Sequence, residues 1–583
     1  MDVDKIRELA FKHAVLNAVK YEGKANLNAV ISKLFKEDPS IRPYAKEIVA
    51  LVREVVNEVN MKSLDDLKRI LEERWPEELE EKVIEEKKKT LPPLPNVNKY
   101  SKVVTRFAPN PDFILHLGSA RPAILSYEYA RMYKGKFILR FEDTDPKTKA
   151  PILEAYEAIR DDLRWLGLKW DEEHIQSKRM DIYYRHAEEL IKLKGAYVCL
   201  CSIDKIREYR RMGIACEHSK DPVNVQLERW DKMLEGGYGE GEAVLRVRTD
   251  IKYPDPSVRD WIAFRIIDTA KHPHPLVGDK YIVWPTYNFA CGVDDHMMNI
   301  THVLRAKEHI TNTIKQKFMY EHFGWEYPEA IHFGRLNLEG MMLSKSKIRS
   351  GIEKGKYFSW DDPRLGTLKA LRKRGFLPEA IWDIIIDVGV KPSGATISIA
   401  NLYAINRKYL EPIANRYMFV PNPVKLTIKN LPSNIEAKIP YHPSFPERGH
   451  RIIKLQVTNS SSEIFVSKND LSRLKDQDVR FLGFANFRIK MIDDKVFYAE
   501  FISKDSEYAK IHKLPIVQWV PATSYVKVEV VKPEKDKLEN IKGIAENEVG
   551  KLRADDKVQF YRFGFVRIDA VSEDIVKAYF THD

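Results

Sequence analysis

Residues Arg106–Arg121 read RFAPNPDFILHLGSAR, and this stretch decides the fold. Val103–Phe107 is a short apolar run with the character of a buried strand. It ends in Ala108-Pro109-Asn110-Pro111-Asp112, where two prolines interrupt strand pairing. His116-x-Gly118 then opens a helix expected from about Ser119, and Phe137–Phe141 reads as a second strand. Strand, helix and strand in that order predict a parallel α/β sheet. A helix start facing the end of a strand presents free amides and a positive dipole end to an anion. Glycine there lets a nucleotide ring or phosphate approach the backbone. A histidine beside it can donate to a phosphate whose charge grows during displacement. Taken alone, His-x-Gly before a helix is a common capping arrangement.

A second piece, MMLSKSK at Met341–Lys347, lies at the end of the second α/β stretch. A Ser/Lys loop can place Lys345 against a polyphosphate as a mobile point charge, with Ser344 and Ser346 as hydroxyl donors.

Upstream, Ile48, Leu51, Val52, Val55, Val56 and Val59 recur at three- and four-residue spacing, one face of a helix. Ser63 begins S-L-D-D-L, a helix start with acids in the first turn. Residues 1–95 are therefore expected to form a helical bundle with a solvated charged face. Lys87-Lys88-Lys89 and the stiff Leu91-Pro92-Pro93-Leu94-Pro95 mark its boundary. Residues 96–194 and 281–350 carry the two α/β halves. Residues 195–280, with three cysteines, many charges and Gly236, Gly237, Gly239 and Gly241, read as an insertion between them. Residues 351–415 read as helical. From 416 to 583 the texture is β-rich: Val526, Val528 and Val530 alternate with Lys527 and Glu529, and Phe487–Ile492 and Lys495–Phe501 flank Asp493-Asp494 as a hairpin. These strands predict one or two β-barrels, with Phe481, Phe484, Phe560 and Phe563 in their core.

Composition narrows the function. The 583 residues suit several domains, and 44% hydrophobic content excludes a mostly disordered chain. The net charge of +11 suits a polyanionic partner. Residues 1–100 hold 19 basic and 19 acidic side chains, so the excess lies downstream. No eighteen-residue apolar run exists, and MDVDKIRELA lacks the apolar core of a secretory signal, so a cytoplasmic protein with no membrane contact is expected. Cys199, Cys201, Cys216 and His218 offer three soft sulfurs and an imidazole, a set suited to structural tetrahedral zinc; the alternative is that these cysteines are small buried apolar groups.

His116-Leu-Gly-Ser119 resembles the HIGH motif, and Met342-Leu-Ser-Lys-Ser346 the KMSKS motif, of class I aminoacyl-tRNA synthetases. Arg140-FEDTD-Pro146, Val283-WPTYNF-Ala290, Val293-Asp-Asp-His, Val303-Leu-Arg-Ala306 and Trp360-DDPRL resemble the glutamyl/glutaminyl branch, and the helical N-terminus and β-rich C-terminus resemble its archaeal and eukaryotic type. The resemblance implies a Rossmann-type catalytic domain with an inserted acceptor-binding domain and C-terminal barrels that bind the anticodon. It implies ATP with Mg²⁺, L-glutamate and tRNA-Glu as reactants, with tRNA-Gln left open, and a tRNA or protein contact for the N-terminal helices. It also places roles. His116, Ser119 and Lys345 are catalytic. Gly118, Ser344 and Ser346 join them around ATP. Arg106 and Arg305 face the carboxylates of glutamate, Glu142 holds the α-ammonium, and Asn110 and Tyr287 add hydrogen bonds.

Three positions depart from the family pattern. Ser119 replaces a histidine and is expected still to donate to phosphate. Phe113 replaces a glycine and is expected to alter the substrate-pocket wall. Met342 replaces the first lysine of KMSKS, which leaves the charge to Lys345. Arg305 and the RFEDTDP motif favour glutamate over glutamine, unless Arg305 merely pairs with Glu308. A non-catalytic tRNA-binding paralogue would be free to lose His116 or Lys345, and both are present.

Overall fold

A computed structural model describes residues 3–20, 24–75, 90–433, 435–492 and 496–583, and the chain divides into two units, Met1–Thr90 and Leu91–Asp583. In the first, the helices Val3–Lys20, Leu27–Glu37, Ala45–Asn60 and Leu64–Arg74 enclose one apolar core. Ile48, Val52, Val55 and Val59 are fully buried, and Leu51 of the same stripe is half-buried. Ser63 caps the last helix by accepting the Asp66 amide at 3.1 Å. The Lys87–Lys89 run lies outside the described residues.

The second unit is built on parallel strands. Val104–Phe107 pairs with Lys136–Phe141, which pairs with Glu172–Ile175. Beside the other edge of Val104–Phe107 runs His302–Ala306, itself paired in parallel with Glu329–Phe333. Thr301 stitches that junction: its hydroxyl accepts the Val104 amide at 2.9 Å, and its amide donates to the Val104 carbonyl at 3.0 Å. The strand order therefore reverses direction between Val104–Phe107 and His302–Ala306. In open parallel sheets the crevice at the carboxyl ends of such a strand pair is where ligands bind. Arg106 and Arg305 sit at those two ends.

Between the halves, Ala196–Cys199, Val244–Val247, Ile262–Ile266 and Val283–Pro285 form an antiparallel sheet. Its last strand lies past residue 280 and leads into the helix Tyr287–Met297. Trp284 shares one core with Met180, Tyr183 and Leu190 before the insertion and with Phe289, Met319 and Tyr320 after it, so the insertion packs against both halves.

The C-terminal region is two seven-stranded curled sheets. The chain enters the first at Arg416, leaves it at Pro421, builds the second between Pro423 and Pro521, and returns at Tyr525. The hairpin strands Asn486–Ile492 and Val496–Ser503 pair antiparallel, and their turn lies outside the described residues. Val528 and Val530 point inward. Phe481, Phe484 and Phe560 are core, whereas Phe563 is only half-buried.

One short segment ties these parts together. The Gly366 carbonyl accepts the Leu117 amide at 3.1 Å, its amide donates to the Met342 carbonyl at 3.0 Å, and the Leu368 amide donates to the Leu115 carbonyl at 3.0 Å. The helix Leu368–Arg374 starts there, capped by the Thr367 hydroxyl, and ends with Arg374 donating to the carbonyls of Phe580 and Thr581 at 3.3 and 2.5 Å.

Phe113 corrects the expectation placed on it. It does not line the crevice around Arg106 and Arg305; it is 1% exposed and packs with Ile114, Ile348, Leu365, Ala370 and the ring of Trp360, 5.6 Å away. The ring thus fills the space beneath the helix Lys345–Glu353. Phe113→Ala should cost about 3–5 kcal/mol, as large-to-small changes of buried aromatics do, and lower the thermal unfolding transition measured by calorimetry.

Candidate active site

A cavity of about 620 Å³ opens at the reversal point, and Arg106, Asn110, Glu142, Tyr287 and Arg305 all line it. Arg305 is 5% exposed. Its guanidinium donates to the Tyr287 hydroxyl at 3.3 Å, the Thr313 hydroxyl at 2.5 Å, the Gln316 side-chain carbonyl at 3.0 Å and the Tyr327 hydroxyl at 3.0 Å. Every one of those acceptors is neutral, and its Nε has no partner among the described residues. The pairing with Glu308 weighed from sequence does not form, because Glu308 is bound by Arg335. A buried cation without a counter-ion is costly, so this cavity favours an anion.

Arg106, which lines the same cavity, differs in having a carboxylate partner. Its Nε and Nη2 are held by Asp295 at 3.0 and 3.4 Å. Arg140 donates to the same carboxylate at 2.8 Å and to Glu142 at 2.9 Å. Burial pushes the Asp295 carboxyl up, but Arg106 and Arg140 outweigh it and hold it at about 2. Burial raises Glu142 against the pull of the same two arginines. Asn110 adds a buried carbonyl oxygen with no partner among the described residues.

A second cavity, about 660 Å³, is lined by His116, Gly118, Leu343, Ser344 and Lys345. His116 is the cap of the helix Leu117–Met132: its Nδ1 accepts the Ser119 amide at 3.3 Å, which leaves the ring proton on Nε2. Burial, with Lys345 adding to it, lowers its pKa to about 4, so the ring is a neutral donor at pH 7. A Cβ on Gly118 would meet this ring at 2.9 Å, so the motif needs glycine there.

Ser119 is a correction. Its hydroxyl closes a capping box, accepting the His116 amide at 2.8 Å and donating to the His116 carbonyl at 2.9 Å, and so faces the histidine backbone rather than the cavity. Ser346 lines a separate surface hollow with Lys347 and Lys354, and its hydroxyl lies 3.3 Å from that of Ser344. Lys345 is paired with Asp112 at 3.1 Å.

The charge of this cavity does not rest on Lys345 alone, as the sequence had implied. Arg121 and Arg335 line it too. Arg121 is buried, donates to the carbonyls of Gly334 and Gly389, and has no ion pair among the described residues. Its position on the helix opened by His116, and the placement of Arg335 one residue before a strand leading to the lysine loop, were the signals available in sequence. The two cavities meet, sharing Pro122, Ala306 and His309 as lining residues.

Cys199, Cys201, Cys216 and His218 converge with all ligand atoms within 4.8 Å of one another. The Cys199–Cys216 and Cys201–Cys216 sulfur separations are 3.5 Å, and His218 Nδ1 lies 3.3 Å from Cys216 and 3.6 Å from Cys201. Tetrahedral zinc with ligands at about 2.0–2.3 Å has edges close to these lengths, so the set fits that ion.

Comparison with known proteins agrees with this architecture. Residues 102–412 match the family model of the catalytic domain of class I tRNA synthetases (E and Q), and residues 414–502 and 516–569 match two models of their anti-codon binding domain. The chain is 55% identical to Glutamate–tRNA ligase of Thermofilum pendens over 100% of both chains. It is 52% identical to that of Pyrococcus furiosus, over 99% of this chain and 100% of the relative, and 52% identical to that of Thermococcus kodakarensis over 100% of both. The chain belongs to the glutamyl/glutaminyl branch of the class I aminoacyl-tRNA synthetases, in the form found among archaeal glutamate–tRNA ligases.

Proposed function

We propose that the chain joins L-glutamate to ATP, forming glutamyl-adenylate and pyrophosphate, and passes the glutamyl group to a ribose hydroxyl, the 2′-OH in this class, of the terminal adenosine of tRNA-Glu in the cytoplasm. The observation that carries the amino-acid assignment is the buried Arg305 fork with neutral partners only. A carboxylate accepts from such a fork, whereas an amide would turn N–H donors toward a guanidinium that cannot accept them. Glutamine is disfavoured on that ground. A non-catalytic paralogue is disfavoured because His116 and Lys345 line one cavity.

In this reading Arg305 binds the side-chain carboxylate with help from Tyr287. Arg106, through the nitrogen Asp295 leaves free, and Asn110 hold the α-end, and Glu142 accepts from the α-ammonium. The α-carboxylate oxygen attacks the α-phosphorus as the bond to pyrophosphate breaks. The protein takes no covalent part, so its work is positioning and charge stabilisation. His116 Nε2–H and the Gly118 amide at its helix start face the phosphates, Ser119 orients the ring, and Lys345 exchanges Asp112 for the leaving pyrophosphate, with Ser344 beside it. Mg²⁺ bound with ATP would supply charge neutralisation of the polyphosphate. Zinc held by Cys199, Cys201, Cys216 and His218 would fasten the end of the strand Ala196–Cys199 to the turn that follows the helix Ile203–Met212; with four protein ligands it would have no open position for chemistry.

Three measurements test these assignments. Arg305→Ala should lower kcat/KM for glutamate by roughly tenfold to several hundredfold, from about 1.5–3 kcal/mol for a charged hydrogen bond, and unchanged kinetics would remove the assignment. Elemental analysis of protein purified without chelator should find about one zinc per chain, and less than about a tenth of an equivalent would count against the site. Charging assays with labelled glutamate and, separately, glutamine on unmodified tRNA-Glu and tRNA-Gln should give glutamyl-tRNA-Glu. Glutamate on both tRNAs would identify a non-discriminating enzyme; glutamine charging, or tRNA binding without charging, overturns the reading.

A further inference from the structure

Bond formation in the proposed reaction has to occur where the amino-acid cavity meets the nucleotide cavity. Of the three residues that line both, Pro122 and Ala306 carry no side-chain donor; His309 does. Its position is fixed on two sides. The Asn312 amide donates to Nδ1 at 3.1 Å, and the Tyr287 ring lies 5.5 Å from the imidazole, centroid to centroid. With Nδ1 accepting, the ring proton sits on Nε2, and Nε2 has no hydrogen-bond partner among the described residues. Burial, then the nearby Arg305 and Arg106, lower the His309 pKa to about 4, so this proton stays on a neutral ring at pH 7.

Resting on the adenylate-forming function proposed above, we infer that His309 is a further catalytic residue of that step, donating its Nε2–H to an oxygen of the α-phosphoryl group as the glutamate carboxylate attacks. A carboxylate oxygen–phosphorus bond forms, the phosphorus–oxygen bond to the β-phosphate breaks, and pyrophosphate leaves with the bonding pair. No proton changes hands. An anion adding to phosphorus places charge on the phosphoryl oxygens, so a fixed donor at the seam acts more strongly in the transition state than on either substrate alone. His116 faces the nucleotide cavity only, and Arg305 the amino-acid cavity only; His309 is placed to touch the group that joins the two.

The test uses two variants of the full chain. His309→Phe keeps a ring against Tyr287 and removes the donor, and His309→Gln restores an N–H at similar reach. In ATP–pyrophosphate exchange with tRNA present, His309→Phe should lower kcat about 30- to 100-fold while KM for glutamate and for ATP each move less than about threefold, and His309→Gln should return to within about fivefold of the parent. Binding of glutamyl-sulfamoyl-adenosine, which spans both cavities, should weaken in His309→Phe while binding of free glutamate does not. Equal losses in both variants, a change confined to KM, or unchanged kcat would overturn the assignment. Exchange by the parent protein with a different amino acid would remove the glutamate reading while the comparison of variants still decides His309. Absence of any exchange by the parent would overturn both.

Discussion

The carboxylate of Asp295 is the interaction on which the centre of this protein depends. It accepts from Arg106 on one strand and Arg140 on the next, while itself belonging to the helix that follows the insertion. All three side chains are buried. Removing it would leave Arg106 without its carboxylate and Arg140 with Glu142 and Asp294 only, a disruption of about 3–5 kcal/mol for a buried pair. Its pKa of about 2 keeps it charged at any ordinary pH. Because Asp295 neutralises much of Arg106, Arg305 is the buried arginine of this cavity whose hydrogen-bond acceptors are all neutral.

The two imidazoles beside the nucleotide cavity follow a common design. His116 and His309 each have Nδ1 occupied by a neighbouring donor, and burial, with nearby positive charge, holds each near a pKa of 4. They therefore behave as oriented dipoles with a fixed proton rather than as acids or bases that switch between pH 5 and 8. The mobile charge is left to Lys345, whose half-exposed side chain pairs with Asp112 at 3.1 Å.

Much of this was legible in the sequence because it is local. The strand ending in proline, the His-x-Gly turn, the Ser/Lys loop and the Cys/His set each sit within a few residues, and period-two and period-3.6 patterns located the helices and strands around them. What escaped depends on distant pairing. Nothing near Arg106 announces that Asp295 takes its fork. Ser119 looks like a phosphate donor until the capping box claims its hydroxyl. Phe113 looks like a pocket residue until the helix after the lysine loop closes over it. The excursion of the chain from one C-terminal sheet to build another, with return at Tyr525, is a matter of topology that strand-by-strand reading cannot supply.

The segment around Gly366 gives the molecule a mechanical property. The helix Leu368–Arg374 is seven residues long, roughly 10 Å at the usual rise, and far too short to bend. One end is hydrogen-bonded on both sides of His116 and, through Gly366, to Met342 of the lysine loop; the other is bonded to Val576–His582, which pairs with strands of the region matched to an anti-codon binding domain. It is a rigid strut with both ends pinned. The Asn406 amide, 3.0 Å from the His582 ring nitrogen, and Arg364, which donates to the Asp536 carbonyl at 2.8 Å, brace the same junction. A tilt of that sheet is therefore passed toward the His116 turn along a short, stiff path with few soft joints.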